Sequence, residues 1–276
     1  MKDQHIFWRD ERLPHVELRL VREGRNVCYA PHSHEQWSMG AIINGHSSFD
    51  YRDQSFDIHA GDLVLMNPHW VHVCNPVSEA WGYWMLYIDR HWLALLRYEL
   101  GTTHSAQWQD ISQAVMAGPS HWFADYCDMA EALIDNNIEV LEKQSRLLEY
   151  LSALMLELAP RADACVAENP SSNRTDLTAV ARILSEALSP APTLQELAEL
   201  AGCSEGHLVR SFKRQYGLAP HAYLLNARIQ QARQLLRQGM SIAETALATG
   251  FSDQAHFQRV FKKLTAATPG QFVRQR

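Results

Sequence analysis

The chain has 276 residues, 46% apolar and 20% charged. These values allow two small domains with real cores, and they exclude a disordered, collagen-like or low-complexity chain. No apolar run reaches 18 residues, Met1-Lys2-Asp3-Gln4-His5 has no signal-peptide stretch, and the five cysteines are scattered without CxxC spacing. We therefore expect no membrane span, no disulfide framework and a reduced, cytoplasmic setting. The net charge of −6 hides an asymmetry. Residues 1–173 hold 12 Lys and Arg against 24 Asp and Glu, net −12, whereas residues 174–276 hold 13 against 7, net +6. The acidic part and the basic part are expected to do different jobs, and the basic part is the candidate for phosphate contact.

From about Val16 to Ile88 the pattern is strand-like. Short runs such as Met39-Gly40-Ala41-Ile42-Ile43 and Leu63-Val64-Leu65-Met66 lie between turn signals at Asn44-Gly45, Ala60-Gly61-Asp62 and Asn67-Pro68. Such punctuation predicts a small β-barrel or sandwich. From about His91 to Leu158 the period becomes helical. In Ile138–Leu158, Leu141, Leu148 and Met155 recur every seven residues, beside a stripe of Leu147, Leu151, Leu154 and Leu158. So wide an apolar face must pack on something: its own barrel, or a second copy of the chain. Residues 160–174 are polar, turn-rich and aperiodic, and form the candidate linker.

After it come helices with clear signals. Asp176 can cap the first, to about Leu188. Thr193 with Glu196 forms a capping box, and Ser204 caps a helix that Gly217 ends. Pro220 opens a long helix to Arg237. Ser241 with Glu244 makes a second box, Ser252 or Asp253 caps another helix, and Pro269 starts a last short one. Two of these pairs form a repeat. Ala198-x-x-Ala201-Gly202 matches Ala246-x-x-Thr249-Gly250, and Arg210-Ser211-Phe212-Lys213 matches Arg259-Val260-Phe261-Lys262. A helix-turn-helix needs a small residue where its helices cross and a glycine in the turn, and both copies have them. The second helix of each then buries Leu208 and Phe212, or Phe257 and Phe261. Ser204, His207, Arg210, Lys213 and Arg214 are left for DNA in the first copy, and Gln254, His256, Gln258, Arg259 and Lys262 in the second. Arg can read guanine and Gln adenine. Lys213, Arg214, Lys262 and Lys263 suit phosphates.

Residues 193–274 resemble the DNA-binding domain of the AraC family of bacterial transcription regulators. The match runs through Leu197-Ala198-x-x-Ala201-Gly202-x-Ser204, His207-Leu208-x-Arg210-x-Phe212-Lys213, Gly217-x-x-Pro220-x-x-Tyr223 and Arg228-x-x-x-Ala232-x-x-Leu235-Leu236. It continues through Ile242-x-x-x-Ala246-x-x-x-Gly250-Phe251, Phe257-x-x-x-Phe261-Lys262 and Thr268-Pro269-x-x-Phe272. The resemblance implies two helix-turn-helix units, joined by the Pro220–Arg237 helix, entering successive major-groove segments on one face of DNA. One departure is Gly206, where the family often places a larger groove-facing side chain.

In the acidic part, Pro31-His32-Ser33-His34-Glu35, then Gly61-Asp62-x-x-x-x-Asn67-Pro68-x-x-x-His72, looks like the two half-motifs of a cupin barrel. Many AraC-type regulators carry such a barrel as a small-molecule sensor. The resemblance implies ligand-binding roles for His32, His34 and His72, with Trp37 and Trp84 among the aromatic candidates beside Trp70, Trp81 and Tyr83. It also raises a divalent metal on His32, His34 and His72, although no cofactor is required. The carboxylate that completes a cupin metal shell is missing: Ser38 and Met39 stand in its place and Glu35 comes too early.

The expected fold is α+β and multidomain. Residues 1–159 form a cupin-like sensing and dimerisation domain (barrel about 16–90, helices about 91–159), 160–174 a linker, and 175–276 an all-α domain of two helix-turn-helix units. The expected function is a sequence-specific DNA-binding transcription regulator that responds to a small molecule, with no catalytic residues. Its partners are an operator, an effector, a second copy of the chain and, for an activator, RNA polymerase. Two other readings stay open: a metal-dependent cupin enzyme with a helical appendage, and a DNA-binding protein whose barrel only dimerises.

Overall fold

The computed structural model describes residues 5–24, 29–159, 177–187 and 191–274. Seven strands make one antiparallel sheet: β1 (His5–Trp8), β2 (Val16–Val21), β3 (Trp37–Tyr51), β4 (Gln54–His59), β5 (Leu63–Met66), β6 (His72–Ile88) and β7 (Val115–Met116). Their order is β1-β2-β6-β3-β5-β7, with β4 paired to the far half of β3. Strands β1 and β7 lie outside the stretch that reads as strand in the sequence. The two long strands, β3 and β6, pair from Trp37 opposite Ile88 to Tyr51 opposite His72. The Asn44-Gly45 signal does not make a hairpin turn. Both residues sit inside β3, where register shifts between Ile42 and Asn44 and between Gly45 and Ser47 mark bulges, and Gly45 takes φ +79°. A bulge needs the same left-handed freedom as a tight turn, so the dipeptide signals both.

Three helices follow in the N-terminal half: α1 (Arg90–Glu99), α2 (His121–Ile134) and α3 (Val140–Glu157). Strand parity divides the sheet. Trp37, Met39 and Ala41 of β3, with Trp84, Leu86 and Ile88 of β6, face α2 and α3 and share a core with Tyr126, Leu133, Leu147, Leu151 and Leu154. Ile42, Trp81 and Tyr83 face the other way into a second cluster. The wide face of α3 is thus partly used on its own sheet. Leu141 and Leu148 remain 73% and 45% exposed, while Met155 is buried.

The C-terminal half holds α4 (Thr178–Glu186), α5 (Leu194–Leu200), α6 (Glu205–Tyr216), α7 (Pro220–Arg237), α8 (Ile242–Ala248), α9 (Gln254–Thr265) and α10 (Pro269–Val273). The expected caps form. Thr193 with Glu196 and Ser241 with Glu244 make complete capping boxes, and Ser204 and Asp253 cap α6 and α9. Gly217 ends α6 at φ +75°. The linker residues 160–174, the cap Asp176 and Leu188 lie outside the described residues. Helices α5 and α6 bury Leu197, Ala198, Leu208 and Phe212 against α4 and α7. Helices α8 and α9 bury Ala246, Phe257 and Phe261 with Phe272 and, from the other half of the chain, Phe7 of β1.

Candidate sensor chamber and DNA-binding face

The barrel side of the sheet closes around a chamber lined by Tyr29, His32, His34, Ile42, Val64, Met66, His72, Cys74, Trp81, Tyr83, Met85 and Tyr87. About 430 Å³ lies between these atoms, of which about 30 Å³ admits the centre of a water-sized sphere. That is room for one or two waters. The three histidines meet here. His32 lies in the loop before β3, bridged to His72 at the start of β6, and His34 is two residues on. Ring centroids are 4.5 Å apart for His32 and His72 and 4.9 Å for His34 and His72, but 6.4 Å for His32 and His34. Glu35 is exposed and plays no part in the chamber.

Burial first, then His72 and nearby guanidinium groups, hold the His32 and His34 imidazoles well below their usual range. Burial takes His72 down to about 4. The rings are neutral at pH 7. Ser38 occupies the place of the missing carboxylate, and its hydroxyl lies 3.2 Å from His34 Nε2, engaging the lone pair a metal would need. Among the described residues no group of three or more His, Cys, Asp or Glu is placed to hold a metal ion. A divalent metal on the three rings would lack the carboxylate of a cupin shell, with Ser38 in its place.

Of the aromatic candidates, Trp81 and Tyr83 line the chamber. Trp37 and Trp84 do not. They sit on the opposite parity, under α2 and α3, and belong to the core. Trp70 is half-buried outside, stacked under Arg52 at 3.4 Å, with its indole donating to Asp110. Its carbonyl does take part, holding His72 Nδ1 at 2.9 Å. The sequence reading missed Tyr29, Tyr87 and Cys74. The odd numbers of Trp81, Tyr83, Met85 and Tyr87 on one strand were the available signal.

A second feature was also missed. The chamber wall is part of the contact between the two halves of the chain. In the loop Tyr29–His34, the Ala30 amide donates to the Lys263 carbonyl at 3.0 Å. The Ser33 amide donates to Asn226 Oδ1 at 3.2 Å, and Gln230 Nε2 donates to the Ser33 carbonyl at 2.9 Å. Beside it, Glu17 of β2 is 4% exposed and accepts from Arg9 at 2.6 Å, from Arg233 at 3.1 Å and from Arg237. Burial pushes this carboxyl up, but the three guanidiniums outweigh it and hold the group well below the usual carboxylate range. Arg19, two residues along and 2% exposed, donates to the Tyr29 hydroxyl at 3.1 Å and to the carbonyls of Thr265 and Ala266 at 2.7 and 3.3 Å. Those carbonyls form the negative end of α9, a natural partner for a buried cation. Asn226, Gln230, Arg233 and Arg237 follow at steps of four, three and four, one face of α7.

The DNA-binding candidates lie on α6 and α9. On α6, His207, Arg210, Lys213 and Arg214 are exposed, with Ser204 at the cap. His207 Nε2 is tied to Ser211 Oγ at 3.1 Å. A Cβ added at Gly206 would sit 3.4 Å from an Arg210 Nη, so the guanidinium lies over the glycine. On α9, Gln254, Gln258, Arg259, Lys262 and Lys263 are exposed. His256 is half-buried, edge-on to Phe251 at 5.4 Å.

Comparison with known proteins agrees with this division. The family model for the AraC-like ligand binding domain matches residues 13–174, and that for a helix-turn-helix domain matches residues 197–275. The chain is 29% identical over 245 residues to the uncharacterised HTH-type transcriptional regulator YbfI of Bacillus subtilis, covering 88% of this chain and 86% of that one. It is 24% identical over 260 residues to the HTH-type transcriptional activator RhaR of Enterobacter sp., covering 91% and 89%. ToxT of Vibrio cholerae with an unsaturated fatty acid bound has the same fold at 11% identity, with a TM-score of 0.55 over 98% of this chain and 92% of that one. The chain belongs to the AraC family of transcription regulators, with an N-terminal ligand-binding domain and a C-terminal helix-turn-helix DNA-binding domain.

Proposed function

We propose that the chain is a cytoplasmic regulator whose DNA binding is set by a small molecule in the His32, His34 and His72 chamber. The observation that carries this reading is the double use of the loop Tyr29–His34: one side lines the chamber and the other is hydrogen-bonded to α7 and α9. Anything that moves the loop changes how the DNA-binding half is held, so the two sites share a coupling free energy. Arg210, Gln254, Gln258 and Arg259 read bases, and Lys213, Arg214, Lys262 and Lys263 hold phosphates. Ser204 and His207 assist at the start of α6, and His256 mainly supports Phe251. Helix α7 has 18 residues, about 27 Å of rise, a spacer on the scale of one DNA turn.

Further features complete the reading. The relatives that span most of the chain are transcription regulators, which favours a regulator over the enzyme reading. The exposed Leu141 and Leu148 of α3 pair two copies into a homodimer. Likeness to the RhaR activators favours activation, and hence contact with RNA polymerase. No helix among the described residues is long and apolar enough to cross a membrane.

The test is in vitro selection of DNA by the full-length protein, followed by a screen for compounds that change its affinity for the selected site. We expect two contacted segments about 10 bp apart and a response abolished by His32→Ala. No enriched site would refute the regulator reading. A response that survives His32→Ala would move the effector out of the chamber.

A further inference from the structure

The three imidazoles are all held in one way. Nδ1 lies 2.9 Å from the Ala30 carbonyl in His32, 2.8 Å from the Gln36 carbonyl in His34 and 2.9 Å from the Trp70 carbonyl in His72. A carbonyl oxygen only accepts, so Nδ1 carries the hydrogen in each ring. Each neutral ring then turns a lone pair, on Nε2, away from the backbone. His34 spends its lone pair on the Ser38 hydroxyl. Among the described residues, no side chain donates to Nε2 of His32 or His72, although the two are 9% and 5% exposed and their rings lie 4.5 Å apart. Trp81, 2% exposed in the same wall, has its indole N–H buried without a partner. A buried polar group left without a partner, as at Trp81, is costly, and a ligand that completes it and takes up the imidazole lone pairs gains what they lack.

We infer that the chamber recognises a neutral head group that donates hydrogen bonds, a hydroxyl or an uncharged N–H, on an otherwise apolar molecule. The inference rests on the chamber being the effector site and names what it takes. A hydroxyl donates to His32 or His72, and a second polar atom of the ligand can accept from Trp81. A carboxylate has no hydrogen to give and brings its charge against two lone pairs. The remaining walls, Ile42, Val64, Met66 and Met85, suit apolar atoms. The chamber has room for only one or two waters, so it takes the head group alone. The rest of the molecule fits only if the loop Tyr29–His34 moves, and that loop is held by the DNA-binding half.

Phenol, anisole and benzoate separate the possibilities. They are alike in size, but anisole lacks the donor and benzoate carries the charge. Full-length protein labelled with ¹⁵N-histidine reports the Nε2 signals, and thermal unfolding reports binding. Phenol is expected to move the His32 and His72 signals and to bind at least tenfold more tightly than either analogue, because a site built around a donor rejects the molecule lacking it. His72→Phe should abolish this. Ser38→Ala, a smaller change that frees a third lone pair, should keep or strengthen phenol binding. Benzoate binding as tightly as phenol at the same rings would overturn the donor assignment and leave the chamber as the effector site. Zinc binding that blocks phenol and is lost in His72→Phe would overturn it in favour of a metal. If no probe moves any of the three rings, the inference fails. DNA binding measured on the same preparation shows whether the regulator reading fails with it.

Discussion

Replacing Glu17 with Gln should open the chamber from a distance. Glu17 is not a chamber residue. It is a buried carboxylate on β2 that gathers Arg9 from its own half and Arg233 and Arg237 from α7. Removing the charge leaves three guanidiniums facing one another beside a cavity that water can enter. Breaking a buried ion pair by deleting one partner costs about 3–5 kcal/mol. Arg237 is 28% exposed and can turn to solvent, which puts the effect at the low end, about 3 kcal/mol. That is roughly a hundredfold change in the ratio of docked to undocked protein. Because α7 also holds Ser33, undocking frees the loop Tyr29–His34. Cys74 reports the result. It lines the chamber half-buried, and its desolvation pushes the thiol up to about 12, so it reacts slowly. Labelling with a maleimide, read peptide by peptide, should speed up at least tenfold at Cys74 in Glu17→Gln. Cys203, in the turn between α5 and α6, serves as the control and should not change. If the amides of α7 exchange faster in the variant while Cys74 labels at the original rate, chamber and interface are independent, and the coupling argument is wrong.

Other outcomes follow from the same geometry. Arg210→Ala should weaken binding to the selected site more than to random DNA, by about 1–3 kcal/mol at one base position. Equal losses on both in a gel-shift titration would remove its reading role. Lys262→Ala should weaken binding to all DNA and lower the salt slope by about one, and an unchanged slope would exclude a phosphate contact. Leu148→Glu should shift the protein towards monomer in sedimentation without lowering its melting temperature, since Leu148 is 45% exposed; a lost fold would place Leu148 in the core instead. Stability should fall in acid. The folded imidazoles of His32, His34 and His72 sit below their usual values, His72 at about 4, whereas in the unfolded chain they titrate near 6.5. The unfolded chain therefore binds more protons below about pH 6.5. Urea midpoints should be level above pH 7 and decline from 6.5 towards 4, by up to about 1.4 kcal/mol per pH unit for each ring. A level profile down to pH 5 would mean the rings are not buried neutral.

The C-terminal half was legible almost residue by residue because its signals are local. Thr193 with Glu196, Ser204, Gly217, and Ser241 with Glu244 act on backbone groups within one turn, and each forms as expected. The N-terminal half was legible as a class but not in register. Whether Asn44-Gly45 turns a hairpin or bulges a strand depends on its partner, and β6 is long enough to run past it. The same limit misplaced Trp37 and Trp84. An aromatic residue near a His motif looks like pocket, but a strand has two faces, and α2 and α3 decide which one is core.

The contact between the halves explains what remained hidden. Val16-Glu17-Leu18-Arg19-Leu20-Val21 alternates as an exposed strand does, yet all six residues are buried. The cover for Glu17 and Arg19 comes from α7 and the end of α9, more than 200 residues away in the chain. Read alone, the strand shows a carboxylate and a guanidinium facing water, and α7 shows a polar stripe facing water. Only together do they account for one another, because Glu17 takes the charge of Arg233 and Arg237 while Arg19 takes the carbonyls that end α9. The pairing has a functional consequence. Arg19 also holds the Tyr29 hydroxyl, which bonds Tyr83 in the chamber wall, so a single buried side chain is tied to the chamber tyrosines and to the end of α9. A molecule that pulls the Tyr29 hydroxyl towards itself must compete with Arg19 and Tyr83 for it. That competition gives the chamber a direct hold on α9.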